Sequence, residues 1–242
     1  MKKIAKLIFL TKTKCKINLT KFLTAFLFVL FVGCTKKAEN GNIETGEKPS
    51  IEIITEKISI ENLPQEIIFE GNLVEVTKLN DLDGEHIILL TETEKTPSKQ
   101  IINIEHEIDK KIFVYDYLLD KAKTNYILNW KIQDFENNCD FDLIIGFLKG
   151  THRFTDLNRN GKAEIWVMYQ KGCVSDISPL EMKIIMYEGN KKHALRGTSI
   201  IDFGDRKFGG EFKLDENFNK ASKDLKTFVL KMWEENRLQK FE

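Results

Sequence analysis

The sequence predicts an α+β fold dominated by β structure, mainly antiparallel sheet with a C-terminal helix packed on it. Three observations lead there. Strand-length runs of branched and aromatic residues recur between polar, Gly-bearing turns; a Gly-Asn pair stands where a hairpin would close; and clear helical spacing of apolar residues is found only near the C terminus.

In chain order, "IEIITEKISIENLPQEIIFEG" opens the folded region with short period-two segments, Ile51, Ile53, Ile58 and Ile60 alternating with charged or polar residues. "HIILLTE" at 86–92 and "KIFVYDYLL" at 111–119 have strand length and composition. "LNWKIQD" sets Leu128, Trp130 and Ile132 on one face and Asn129, Lys131 and Gln133 on the other, a half-buried strand. "DLIIGFL" (142–148), "AEIWVMY" (163–169) and "MKIIMY" (182–187) are nearly continuous apolar runs, as in central strands covered on both faces. Gly189-Asn190 closes a hairpin within "MYEGNKKHALRG". Ala221, Leu225, Phe228, Val229 and Met232 then recur at helical spacing, which predicts a helix over 220–238 with Asn219 or Ser222 as its N-cap; Phe218 and Trp233 read as core anchors.

Before the folded region, residues 1–21 carry seven lysines and no acid, and "FLTAFLFVLFV" follows at 22–32. A basic stretch followed by a short apolar one is the layout of an export signal, and the apolar run falls short of the ~20 residues a spanning helix needs. It ends at "LFVGCTKK", where Gly33-Cys34 resembles the lipobox of bacterial lipoproteins, with Phe31 where that pattern usually has Leu. The resemblance implies cleavage before Cys34 and lipidation of its thiol. Several acyl chains anchor a protein stably where one does not. Thr35, rather than Asp, agrees with outer-membrane sorting. The expected organisation is a signal peptide at 1–33, lipidated Cys34 and a flexible polar tether over 34–50, and one β-rich domain over 51–242.

Without the seven signal lysines, 30 of the 37 basic residues remain against 37 acidic ones. A mildly acidic chain is a poor partner for nucleic acid, which selects a surplus of Lys and Arg. Of the four cysteines, Cys15 lies in the signal and Cys34 is the lipidation site. Cys139 and Cys173 are left, to form one disulfide in an oxidising compartment or to stand as two buried thiols.

The most pointed chemistry lies in "TDLNRNGKAEIW" at 155–166. Asp156, Asn158 and Asn160 alternate, Gly161 follows, and Glu164 comes four residues after Asn160. Alternate oxygens around a Gly turn are how a calcium loop begins. The EF-hand pattern fails, because Val167 stands where its last Glu belongs. The stretch is closer to the loops of integrin-type repeats, and that resemblance implies side-chain oxygens from Asp156, Asn158, Asn160 and Glu164 and a backbone carbonyl from Lys162, with calcium as the ligand. The other reading is structural: Asx turns, with Gly161 as a left-handed residue. "LNDLDGEHIILLT" is a weak second copy of the pattern, and its Asp81 and Asp83 read as an ordinary tight turn.

His86, His106, His152 and His193 lack metal-ligand spacing and are expected to be solvated or singly hydrogen-bonded. Arg153, Arg159, Arg196 and Arg206 fall in or near expected turns, as contacts for anionic sugars or as plain surface charge. The sequence shows no nucleophile elbow and no phosphate-binding loop, and no pair of its many carboxylates stands out.

The segments "FTDLNRNGKAEIWVMYQKGCVSDISPLEMKIIMYEGNKKHALRG" and "GGEFKLDENFNK", with the helix after them, resemble a family of flavobacterial lipoproteins labelled surface polysaccharide biosynthesis proteins. The likeness covers most of 67–242 and implies a role in making or displaying lipopolysaccharide or capsule; it carries no catalytic residues over. Two functions follow as expectations. One is a non-enzymatic accessory or binding lipoprotein whose partners are the membrane and an envelope glycan or polysaccharide-assembly proteins. The other is an enzyme that modifies or hydrolyses envelope glycans with carboxylates the sequence does not single out.

Overall fold

The computed structural model describes residues 53–98 and 107–239. The expected signal, Cys34, the tether, Ile51 and His106 lie outside the described residues.

The first six strands make one sheet: β1 (Thr55–Lys57), β2 (Asn72–Asn80), β3 (Glu85–Glu92), β4 (Thr96–Pro97), β5 (Ile108–Asp120) and β6 (Asn125–Cys139). The second sheet follows with β7 (Asp142–Phe147), β8 (Arg153–Thr155), β9 (Glu164–Val174), β10 (Glu181–Glu188) and β11 (Lys191–Thr198). A small hairpin of β12 (Ile200–Asp202) and β13 (Lys207–Gly209) comes next, and β14 (Phe212–Leu214) then completes the second sheet beside β11. Every pairing between these strands is antiparallel. Two helices close the described chain, α1 (Glu216–Asn219) and α2 (Lys223–Asn236).

The two sheets face each other across a shared core. Ile88, Leu90, Ile112, Val114 and Ile132 of the first pack with Leu143, Ile145, Ile165, Val167 and Ile185 of the second. Each outer face is also covered. Ile58, Leu63, Ile67 and Phe69 lie over Ile87, Leu89, Phe113 and Tyr115 on the first sheet. Leu225, Val229, Met232 and Trp233 of α2 cover Trp166, Met168, Ile184 and Leu195 on the second. Double coverage is why β3, β5, β9 and β10 are apolar at successive positions and not only at alternate ones. The predicted β-dominated α+β class with a C-terminal helix on the sheet is therefore found, with the sheet divided in two.

The disulfide is formed. Cys139, ending β6, and Cys173, in β9, are joined with their Cα atoms 5.6 Å apart, tying one sheet to the other.

Several local expectations are corrected. "DLIIGFL" is an edge strand and not a central one: β7 pairs only with β9 among the described strands, so Leu143 and Ile145 are buried and Ile144 only partly. Leu128 does not join Trp130 and Ile132 inside. Trp130 faces Asp116 and Leu128 faces Tyr117, so Asn129 is an extra residue, and this bulge turns Leu128 outward to 48% exposure. Among the described residues of the early Ile-rich stretch, only Thr55–Lys57 is strand. The C-terminal helix begins at Lys223, because Ser222 caps it by accepting from Leu225 N; Asn219 instead ends α1, a short turn capped by Asp215.

Candidate functional site

The loop at 155–164 is closed by its own backbone. Asp156 Oδ1 accepts from Asn160 N and Oδ2 from Gly161 N, both at 2.9 Å. Asn158 Oδ1 accepts from Asn160 N at 3.1 Å, and Asn160 Oδ1 from Lys162 N at 2.8 Å. Arg159 and Gly161 take positive φ, 56° and 80°, as such nested turns require. Glu164 is wholly buried and accepts from Leu157 N, Asn158 N and the Thr155 hydroxyl. Burial raises its carboxyl above the ordinary range despite those bonds. Among the described residues no three His, Cys, Asp or Glu side chains gather as a metal site would need. The predicted donors Asp156, Asn158, Asn160 and Glu164 thus lie together, with their oxygens turned to N–H and O–H groups.

The two loops, each with an Asp and a Gly before an apolar strand, dock on each other. Leu82 N donates to Gly161 O at 2.8 Å, Ala163 N donates to Asp81 Oδ2 at 2.8 Å, and Lys162 Nζ meets Asp83 at 2.7 Å. Asp81 Oδ1 accepts from Asp83 N and Gly84 N, as its turn reading expects.

His86 overturns the expectation of a solvated or singly bonded histidine. Its Nδ1 lies 2.9 Å from Asp116 Oδ1 and its Nε2 lies 3.2 Å from Asp81 Oδ1, all three side chains being at most 3% exposed. The Asn129 amide donates to the other Asp116 oxygen at 2.8 Å, which gives the β6 bulge its purpose. Burial alone would push the imidazole down, but the hydrogen bonds and charges of Asp116 and Asp81 raise it to about 9. Burial likewise opposes ionisation of Asp81, and His86 with the Ala163 N–H holds its carboxyl below the ordinary range. The surroundings thus favour a protonated His86, held between Asp81 and Asp116 and closed to solvent. It can hold the loops to the first sheet; it cannot touch a substrate.

Solvent-facing chemistry lies elsewhere, on the second sheet. Tyr169, Lys183, Arg196 and Lys213 are successive cross-strand partners on β9, β10, β11 and β14. Lys183 reaches Asp134 at 2.6 Å, and Asp134 also accepts from Tyr169 OH at 2.8 Å. Arg196 and Lys213 are exposed, and among the described residues neither side chain has a hydrogen-bond or ion-pair partner. Both line a cleft of about 490 Å³ with Leu214, Asp215, Glu216 and Asn219. Lys192, half-buried on the same face, is pushed down by burial and then by the charge of Arg196. A second cleft, about 360 Å³, is lined by Glu70, Asp109 and Lys110, already engaged with Lys131, Ser98 and Glu92.

The remaining arginines separate from Arg196. Arg153 donates to the Gly150 and His152 carbonyls, and Arg206 sits 3.5 Å from Asp205. Sequence reasoning placed Arg196 near a turn, whereas it stands inside β11. The available signal was the hairpin register: two residues between Glu188 and Lys191 put Arg196 opposite Lys183. No protein-family model, curated protein or solved structure matches the chain.

Proposed function

We propose that the domain is a non-enzymatic binding or accessory module of the bacterial cell envelope, anchored through lipid on Cys34, that works in the biosynthesis or display of surface polysaccharide. The observation that carries the export half of this reading is the Cys139–Cys173 disulfide, since such bonds persist in oxidising compartments outside the cytosol. The basic and apolar segments before Cys34 support the same placement.

The binding half rests on how the carboxylates are used. Asp81, Asp116, Asp134 and Glu92 are each held by a cation or an N–H group. Glu164, whose raised proton affinity would suit a general acid, has no exposed surface. One accessible cleft, lined by Arg196 and Lys213, offers recognition groups.

The test is membrane fractionation. Wild-type chain should sediment with membranes and Cys34→Ala should be released from them; equal retention of the two would refute the anchor. Purified chain should also bind envelope polysaccharide without changing its length.

A further inference from the structure

We infer that the cleft beside β11 and β14 is a binding site for an anionic group, a carboxylate or phosphate borne on a saccharide, held between Arg196 and Lys213. The glycan part of this inference rests on the proposed function and names its ligand chemistry; the anion part stands on the cleft alone.

The sheet register supplies the argument. Arg196 lies directly opposite Lys183 on one side and Lys213 on the other, so three cations follow one another across adjacent strands. Like charges placed directly opposite in an antiparallel pair are destabilising, and a nearby carboxylate offsets the repulsion. Asp134 does so for Lys183. Nothing among the described residues does so for Arg196 or Lys213. Lys192 adds a fourth cation on the face, where its proton affinity is depressed by burial and by Arg196.

The carboxylates that line the cleft are already engaged. Asp215 caps α1 by accepting from Phe218 N at 2.8 Å, and Glu216 pairs with Lys220. A ligand entering here meets two cationic side chains that have no partner among the described residues, beside carboxylates that already accept a hydrogen bond or pair with Lys220. A guanidinium beside an ammonium offers a planar two-pronged contact and a point charge, which suits a carboxylate or phosphate. The volume of about 490 Å³ takes one or two sugar rings. An anion there would also neutralise the cross-strand repulsion, so binding should stabilise the second sheet.

Calorimetry and thermal melts on the purified full chain in detergent test this with three probes: a galacturonic acid tetramer, maltotetraose as its neutral counterpart, and inorganic phosphate. The acidic tetramer should bind and raise the melting temperature, in a salt-sensitive way, while maltotetraose should do neither. Phosphate binding in addition would assign the site to the charge, and its absence would assign it to the uronate ring and charge together. Arg196→Gln and Lys213→Gln should each weaken binding roughly tenfold to a hundredfold. Without ligand, both variants should melt at or above the wild-type temperature, because Lys213→Gln removes one repulsive cross-strand pair and Arg196→Gln removes two. Arg206→Gln, away from the cleft, should bind as wild type does.

Equal binding of acidic and neutral tetramers would overturn the anion inference and leave the glycan-binding function standing. Binding of phosphate with neither saccharide would keep the anion site and sink the glycan reading. Failure of all three probes, or unchanged affinity in Arg196→Gln and Lys213→Gln, would overturn the inference outright.

Discussion

At the residue scale, the buried His86 couples stability to pH. Its raised proton affinity means that the folded state binds a proton more tightly than the unfolded chain does. The stability this contributes is complete below the unfolded value near 6.5 and is lost as pH rises through about 9. The melting temperature should therefore fall across that interval, and a His86→Asn variant, less stable throughout, should lack this part of the slope. Asp81 acts at the other end: its lowered carboxyl contributes stability that disappears as pH falls through its folded value. Removing one partner leaves the others buried and unbalanced, so Asp116→Ala should cost about 3–5 kcal/mol in chemical denaturation. A loss below about 1 kcal/mol, the size of a surface ion pair, would show that His86 is neutral in the fold. None of this was legible in the sequence. His86 and Asp116 sit thirty residues apart, and only the β3–β5 register, His86 facing Leu118, brings the ring to the carboxylate.

Among elements, the loop at 155–164 shows how far local pattern reaches. Asp, Asn and Gly at those spacings do give a tight polar turn feeding an apolar strand, because Asx turns and a left-handed Gly are properties of adjacent residues. Its docking against residues 81–84 was not readable, since two similar loops carry no mark that they meet. With its oxygens bonded to its own N–H groups, the loop should melt identically with calcium and with chelator. A calcium-dependent rise in melting temperature that Asp156→Ala abolishes would show that these oxygens can turn to a cation after all. The strands repeat the lesson. Period-two and continuous apolar runs located β3, β5, β9 and β10, but Leu128 was misplaced because a bulge is set by the partner strand. Strand β7 was read as central because an apolar hexapeptide looks the same at an edge.

For the whole molecule, the decisive tie is between the sheets. The disulfide spans 34 residues, and closing a loop of that length in the unfolded chain corresponds to about 4 kcal/mol. Cys139→Ser should lower stability by roughly 2–4 kcal/mol, with the same loss on reduction of the wild type. An unaltered denaturation midpoint would mean that the shared core and the polar ties hold the sheets unaided. Those ties are specific. Glu92 pairs with Lys110 and accepts from Phe147 N, while Lys110 also donates to Ile145 O. Gly146 leaves room for this carboxylate: a Cβ at that position would stand 3.1 Å from Glu92 Oε1, so the Glu92 side chain would have to give by a few tenths of an ångström. What the sequence by itself determined is local and compositional: the β-dominated class, the terminal helix, the turns, and two cysteines left over to pair or stand alone. Tertiary structure alone decided that the cysteines join the sheets, that His86 is enclosed by Asp81 and Asp116, and that Arg196 and Lys213 face each other with no partner among the described residues. Periodicity and turn chemistry act between near neighbours, whereas register, burial and charge balance are set by strands that meet only when the chain has folded.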